Sequence, residues 1–142
     1  PQQARAVVNY RIHPRDSVQS VTDRVKHVID DPAIRIGVVQ GGLLSEPTPI
    51  SAVDGWGFRA IEHGIARVFG DAIIAPGLFI AATDSRHFVK QADHIYRFHP
   101  IRMTSRDRTR IHGTNERLRV KNFQEAVGFY SIVIQQAGST GH

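Results

Sequence analysis

The chain has 142 residues, 41% hydrophobic and 22% charged, the make-up of a soluble globular protein with room for one ordinary domain or two very small ones. It contains no cysteine, which excludes disulfides, thiolate nucleophiles and Cys-ligated zinc, so any metal must sit on His, Asp or Glu. The net charge of +5 has one concentration, seven cations between Arg102 and Lys121 with no aromatic residue among them to stack on bases. That segment reads as a solvated Arg-rich turn or as a carboxylate-recognising one, and nucleic acid is not an expected partner. No apolar run approaches the roughly 20 residues of a membrane-spanning helix, and no basic-then-apolar leader opens the chain; the compartment stays open.

Residues 4–12 alternate apolar and polar side chains with β-branched enrichment, which predicts a strand facing Ala6, Val8, Tyr10 and Ile12 to one side. After His13-Pro14, Asp16-Ser17 offers a helix cap, and Val18, Val21, Val25, Val28 and Ile29 recur at helical spacing up to Asp31-Pro32. A second strand is predicted over 34–40, completing a strand–helix–strand unit over residues 1–42. Two glycines and two prolines over 41–49 mark a hinge, placed at 43–50. Trp56 to Phe69 carries the next helical stripe and ends at Gly70. Residues 72–82 read as a buried strand kinked at Pro76-Gly77, residues 94–98 as a short strand, and 120–137 as a closing helix followed by a disordered tail. The predicted class is therefore α/β (α+β), with a second domain over 51–142.

Eight histidines without cysteine direct attention to metal chemistry, yet the chain has no His-x-Asp pair and no His-Glu-x-x-His, and its adjacent acids, Asp30-Asp31, sit at a helix end. Ser85 lacks the Gly-x-Ser-x-Gly elbow of a nucleophile. Two clusters fall where loops should leave strand ends. The first is Ala-Thr-Asp-Ser-Arg-His-Phe over 82–88, which gathers the acid Asp84, the hydroxyl of Ser85, the guanidinium of Arg86 and the imidazole of His87. The second is Ile-His-Gly-Thr-Asn-Glu-Arg over 111–117, where Gly113 permits a tight turn beside His112, and Asn115 and Glu116 can fold back to hydrogen-bond. Capping by Asp84 and a surface pair of Glu116 with Arg117 explain the same residues without chemistry.

Together with Val-Asn-Tyr-Arg-Ile-His-Pro-Arg-Asp-Ser over 8–17, these segments, in this order from about Gln3 to Ala137, make the chain resemble the C-terminal part of M20 metallopeptidases, closest to the carboxypeptidase S and N-acyl-amino-acid hydrolase branch. The resemblance implies the second half of a ferredoxin-like lid or dimerisation domain, followed by the C-terminal portion of a zinc-peptidase α/β catalytic domain. It implies a two-zinc exopeptidase or amidohydrolase that cleaves peptide or N-acyl amide bonds beside a free carboxylate, and a homodimer. His112 would be a zinc ligand, with Gly113, Asn115 and Glu116 supporting it. Arg86 would grip the substrate carboxylate, with Ser85 and Asp84 binding alongside and His87 orienting the loop. The family's His-x-Asp motif, bridging aspartate and paired glutamates, one of them the general base, are absent from this sequence. The chain alone is thus expected to be inactive and without stoichiometric zinc. The alternative is a non-catalytic, self-associating module that pairs exposed strand edges.

Overall fold

A computed structural model describes residues 2–42 and 44–139, and among these the regular elements are all helical. They are α1 (Val18–Ile29), α2 (Trp56–Val68), a 3-10 turn (Asp84–Phe88), a single-turn α3 (Ser105–Arg108) and α4 (Val120–Ser139). The chain divides into two compact units, Pro1–Ile50 with Ile80–Asp93, and Ser51–Phe79 with His94–His142.

In the first unit α1 begins where its local chemistry dictates. Ser17 is extended, its hydroxyl accepts the Ser20 N–H at 3.0 Å, and the Ser20 hydroxyl accepts the Ser17 N–H at 2.9 Å, so two helix-end donors are satisfied reciprocally. The Glu46 carboxylate accepts the Val18 N–H at 3.1 Å and sets negative charge on the positive end of the helix dipole. At the other end Asp30 turns left-handed, φ 44°, and its N–H returns to the Lys26 carbonyl. Val18, Val21 and Val25 are half-buried, Val28 is exposed, and no residue of the helix is fully buried.

The second unit holds the core. Ile65 and Phe69, on and just past α2, meet Phe129 of α4, with Ile61, Val68, Ile74 and Val133 packed around them. Gly64 sets how closely the helices approach: a Cβ built there would lie 2.8 Å from Phe129 Cε2 and 3.3 Å from Val133 Cγ2. Phe129 is only 2% exposed and is flanked by the rings of Phe98 at 5.2 Å and Tyr130 at 5.4 Å, so it has no room to give way. Arg102 closes the periphery of this core. Its guanidinium donates two hydrogen bonds to Asp71 at 3.0 and 3.1 Å, one to Glu125 Oε1 at 3.3 Å, and lies over the Phe69 ring at 5.1 Å. Its carbonyl accepts from Nδ2 of buried Asn122 at 2.9 Å. The Arg102 hydrogen bonds hold the Asp71 carboxyl below its ordinary range, and Asp71 in turn raises the Arg102 guanidinium above its own.

The three long helices stand where their apolar spacing predicts them. The α/β expectation is overturned, because no strand or sheet is present among the described residues, and so neither is the strand–helix–strand half of a ferredoxin-like lid. β-rich composition reports fitness for a pleated surface, whereas a strand also needs a neighbour to complete its ladder. Residues 4–12 and 34–40 have none, and Val7 stays 66% exposed. In 72–82, expected to be a buried strand, Ile73 is 96% exposed. In 94–98 a side chain stands in for the missing strand: Ser51 Oγ accepts the Ile95 N–H at 2.8 Å and donates to its carbonyl at 2.9 Å. The strand edges on which the self-associating alternative depends are likewise missing. α4 runs on to Ser139; of the expected tail, Thr140 to His142 lie outside the described residues, as does Leu43 of the expected hinge.

Gly64→Ala should destabilise the protein by about 1–3 kcal/mol through overpacking, despite its better helix propensity, and urea unfolding measures this. An unchanged midpoint would mean that α2 and α4 separate freely. The carboxylate of Asp71 is harder to protonate when folded than when unfolded. Its contribution is therefore complete above its ordinary value of 3.8 and is lost as pH falls below that value through the lowered one. Asp71→Asn should flatten the acid limb of a stability-versus-pH curve in that window and leave its shape at neutral pH unchanged.

Candidate functional site

The two clusters belong to different units and are built by different local rules. In the first, extended Thr83 precedes the 3-10 turn Asp84–Phe88, and its carbonyl accepts the Arg86 N–H at 3.3 Å. The hydroxyls of Thr83 and Ser85 share a short hydrogen bond that ties the turn to its entry. Asp84 is exposed at the first position, where an acid suits the free N–H groups of a helix end. Arg86 is half-buried, and its Nε donates to His87 Nε2 at 3.3 Å. Among the described residues no carboxylate pairs with Arg86, so the outer nitrogens of its planar fork have no acidic partner there.

The second cluster is a succession of turns. Asp107 N–H donates to the Thr104 carbonyl at 3.0 Å, Arg110 N–H to Asp107 at 3.0 Å, Gly113 N–H to Arg110 at 2.9 Å, and Glu116 N–H to Gly113 at 3.3 Å. His112 is the third residue of the 110–113 turn and Asn115 the third of the 113–116 turn, with φ 59° and 64°. A turn with positive φ at that position favours Gly or Asn. Asn115 obeys this preference and His112 does not. A left-handed non-glycine residue costs on the order of 1–3 kcal/mol, and such residues collect at functional sites. The glycine that sequence reasoning credits with the turn, Gly113, needs no positive φ, since the left-handed steps fall on its neighbours.

His112, Gly113, Asn115 and Glu116 are all exposed, and among the described residues no hydrogen bond joins the His112 ring to Asn115 or Glu116. The first two turns, from Thr104 to Arg110, are braced by a residue sequence reasoning passed over, Asp107. Its Oδ2 accepts from Thr104 N–H at 2.9 Å and Thr104 Oγ1–H at 2.6 Å, and its Oδ1 accepts from Arg110 Nη1 at 3.4 Å. The Thr104 hydrogen bonds pull its carboxyl below the ordinary range. The signal was present in Thr-Ser-Arg-Asp, a capping-box pattern hidden inside an apparently solvated Arg-rich stretch.

No group of three or more His, Cys, Asp or Glu that could hold a metal ion occurs among the described residues. None of their helices is long and apolar enough to cross a membrane.

Comparison with known proteins gives a consistent set of relatives. The chain is 35% identical over 135 residues, 95% of its length, to a probable carboxypeptidase S-like protein 2 of Dictyostelium discoideum. It is 38% identical over 138 residues to the N-fatty-acyl-amino acid synthase/hydrolase PM20D1 of Xenopus tropicalis, and 36% identical over 140 residues to PM20D1 of Homo sapiens, covering 96% of this chain in both cases. The matches lie in the C-terminal part of these relatives, and the chain spans about a quarter of their length. No family model and no solved structure matches.

Proposed function

The chain belongs to the M20 peptidase family, and from that premise we propose that it serves an enzyme hydrolysing peptide or N-acyl amide bonds beside a free carboxylate, to which it brings one metal-binding imidazole and one carboxylate-binding guanidinium. The observation that carries this is identity of 35–38%, over nearly the whole chain, to relatives named as a carboxypeptidase and as N-fatty-acyl-amino acid synthase/hydrolases.

A catalytic zinc takes three protein ligands and leaves a position open, and two zincs require more. The described residues therefore fit one vertex of a metal site and do not complete one. His112 suits that single vertex: it is exposed, carried on a hydrogen-bonded turn, and set in a backbone conformation that its side chain does not favour. Gly113, Asn115 and Glu116 shape the turn around it. Zinc, when bound, supplies Lewis acidity toward the amide carbonyl. The described residues do not supply the remaining ligands, and the chain by itself is expected to be inactive.

Arg86 provides specificity. A guanidinium that among the described residues is engaged through Nε alone presents two further nitrogens in the fork geometry that binds a carboxylate in bidentate fashion, and the short 3-10 turn, with Ser85 and Asp84 beside it, fixes its base. Substrates are thereby those with a terminal carboxylate, such as a peptide C-terminus or an N-acyl amino acid.

In a full-length enzyme carrying this chain, Arg86→Ala should lower kcat/KM for free-carboxylate substrates by about 10–100-fold, the value of one or two charge-assisted hydrogen bonds. C-terminally amidated analogues should lose little. Equal losses on both substrate classes would reject Arg86 as the carboxylate-binding group.

A further inference from the structure

We infer that Asp107 is the positioning residue for His112: its carboxylate ties Thr104, at the start of the turn succession, to Arg110, at the start of the 110–113 turn, and so holds the His112 backbone in a conformation that the turn alone would not keep. The inference deepens the assignment of His112 as a metal donor and rests on it.

Three observations in the second unit carry it. Left-handed His112 needs support from outside its own residue, since at that position the backbone alone would favour glycine. The ring itself receives no such support from Asn115 or Glu116 among the described residues. The backbone does receive it. Asp107 binds the Thr104 N–H and hydroxyl at the start of α3 and, three residues on, the Arg110 guanidinium, while the Arg110 carbonyl accepts the Gly113 N–H that closes the turn around His112. Arg110 and Asp107 are two-thirds screened from solvent, with side-chain exposures of 32% and 31%, so their ion pair is less diluted by water than a surface one. Removing the carboxylate frees the Thr104 cap and the Arg110 end together, and His112 can then relax toward negative φ, away from the direction in which it is now held.

The test measures zinc retention in the full-length enzyme, separately from turnover, by competition with a chelator of fixed strength. Asp107→Ala should weaken zinc binding about 10–100-fold, the usual effect of losing a group that orients a ligand. Asp107→Asn, whose amide oxygen still accepts from Thr104, should lose less. Excess zinc should restore Asp107→Ala activity, because the imidazole is still present. His112→Gly, which keeps the left-handed turn and deletes the ligand, should lose the most. If Asp107→Ala binds zinc like wild type while His112→Gly does not, the positioning inference falls and the metal assignment stands. If His112→Gly binds zinc like wild type, both fall. Should Asp107→Ala fail to fold by far-ultraviolet circular dichroism, Thr104→Val removes the hydroxyl's bonds to Asp107 and keeps the bond from the Thr104 N–H to its carboxylate. A several-fold loss of zinc affinity at an unchanged melting temperature then supports the inference, and unchanged affinity overturns it.

Discussion

The close approach of α2 and α4 at Gly64 and Phe129 is the constraint on which the second unit depends. A residue with no side chain faces a ring with no room to move, so the two helices can pack in only a narrow range of separations. The segment leading to the His112 turn is tied to this core at Phe98, Pro100 and Arg102. Phe98 packs on the Phe129 ring, and Pro100 is fully buried. Asn122 and Glu125, one turn apart on α4, bind the carbonyl and guanidinium of Arg102. Two residues later Thr104 begins the succession that ends at Glu116. The imidazole is exposed, yet its mooring runs back into the core through a short stretch of backbone.

Charge holds that mooring where hydrocarbon cannot. Arg102 satisfies Asp71 and Glu125 at once, and Glu125 has one buried oxygen, Oε2, with no hydrogen-bond partner among the described residues. A half-paired buried carboxylate is tolerable only while a cation remains beside it, so Arg102 is needed for more than its two exposed contacts with Asp71. Asp107 repeats the device on a smaller scale, with one carboxylate between a helix cap and an arginine. The basic stretch from Arg102 to Lys121 thus contains two arginines that are committed to intramolecular carboxylates. Net charge in the sequence could not separate these from the solvated remainder.

How far the fold could be read in advance follows from the range of the forces concerned. Helices α1, α2 and α4 were legible because a 3.6-residue repeat, the Ser17 cap and the Asp31-Pro32 stop all act within a few residues. Strands depend on partners distant in sequence, and residues 4–12, 34–40, 72–82 and 94–98 carried the composition of strands without the ladder. In the first unit the consequence is plain: none of its described residues is fully buried, and Val7, Val8 and Val38 remain exposed. At the candidate site the cluster around His112 was legible as a turn, because Gly, Asn and Thr mark turns locally. The left-handed step on the histidine itself was not, since a residue placed against its backbone preference contradicts the rule by which turns are recognised.

That contradiction is what motivates the role proposed for His112. If the 110–113 turn served only to reverse the backbone, glycine or asparagine at position 112 would have made it at lower cost, as Asn115 does one turn later. A histidine kept there has to be offset by something outside the turn, and the carboxylate of Asp107 and the core contacts behind Arg102 are the interactions available to do so. The chain spans only about a quarter of its M20 relatives, and under the function proposed above it would bring to the metal centre one imidazole whose backbone is set by its turn. A ligand whose co-ligands come from elsewhere gains most from being fixed before they arrive, because the entropy of ordering it has already been spent in folding.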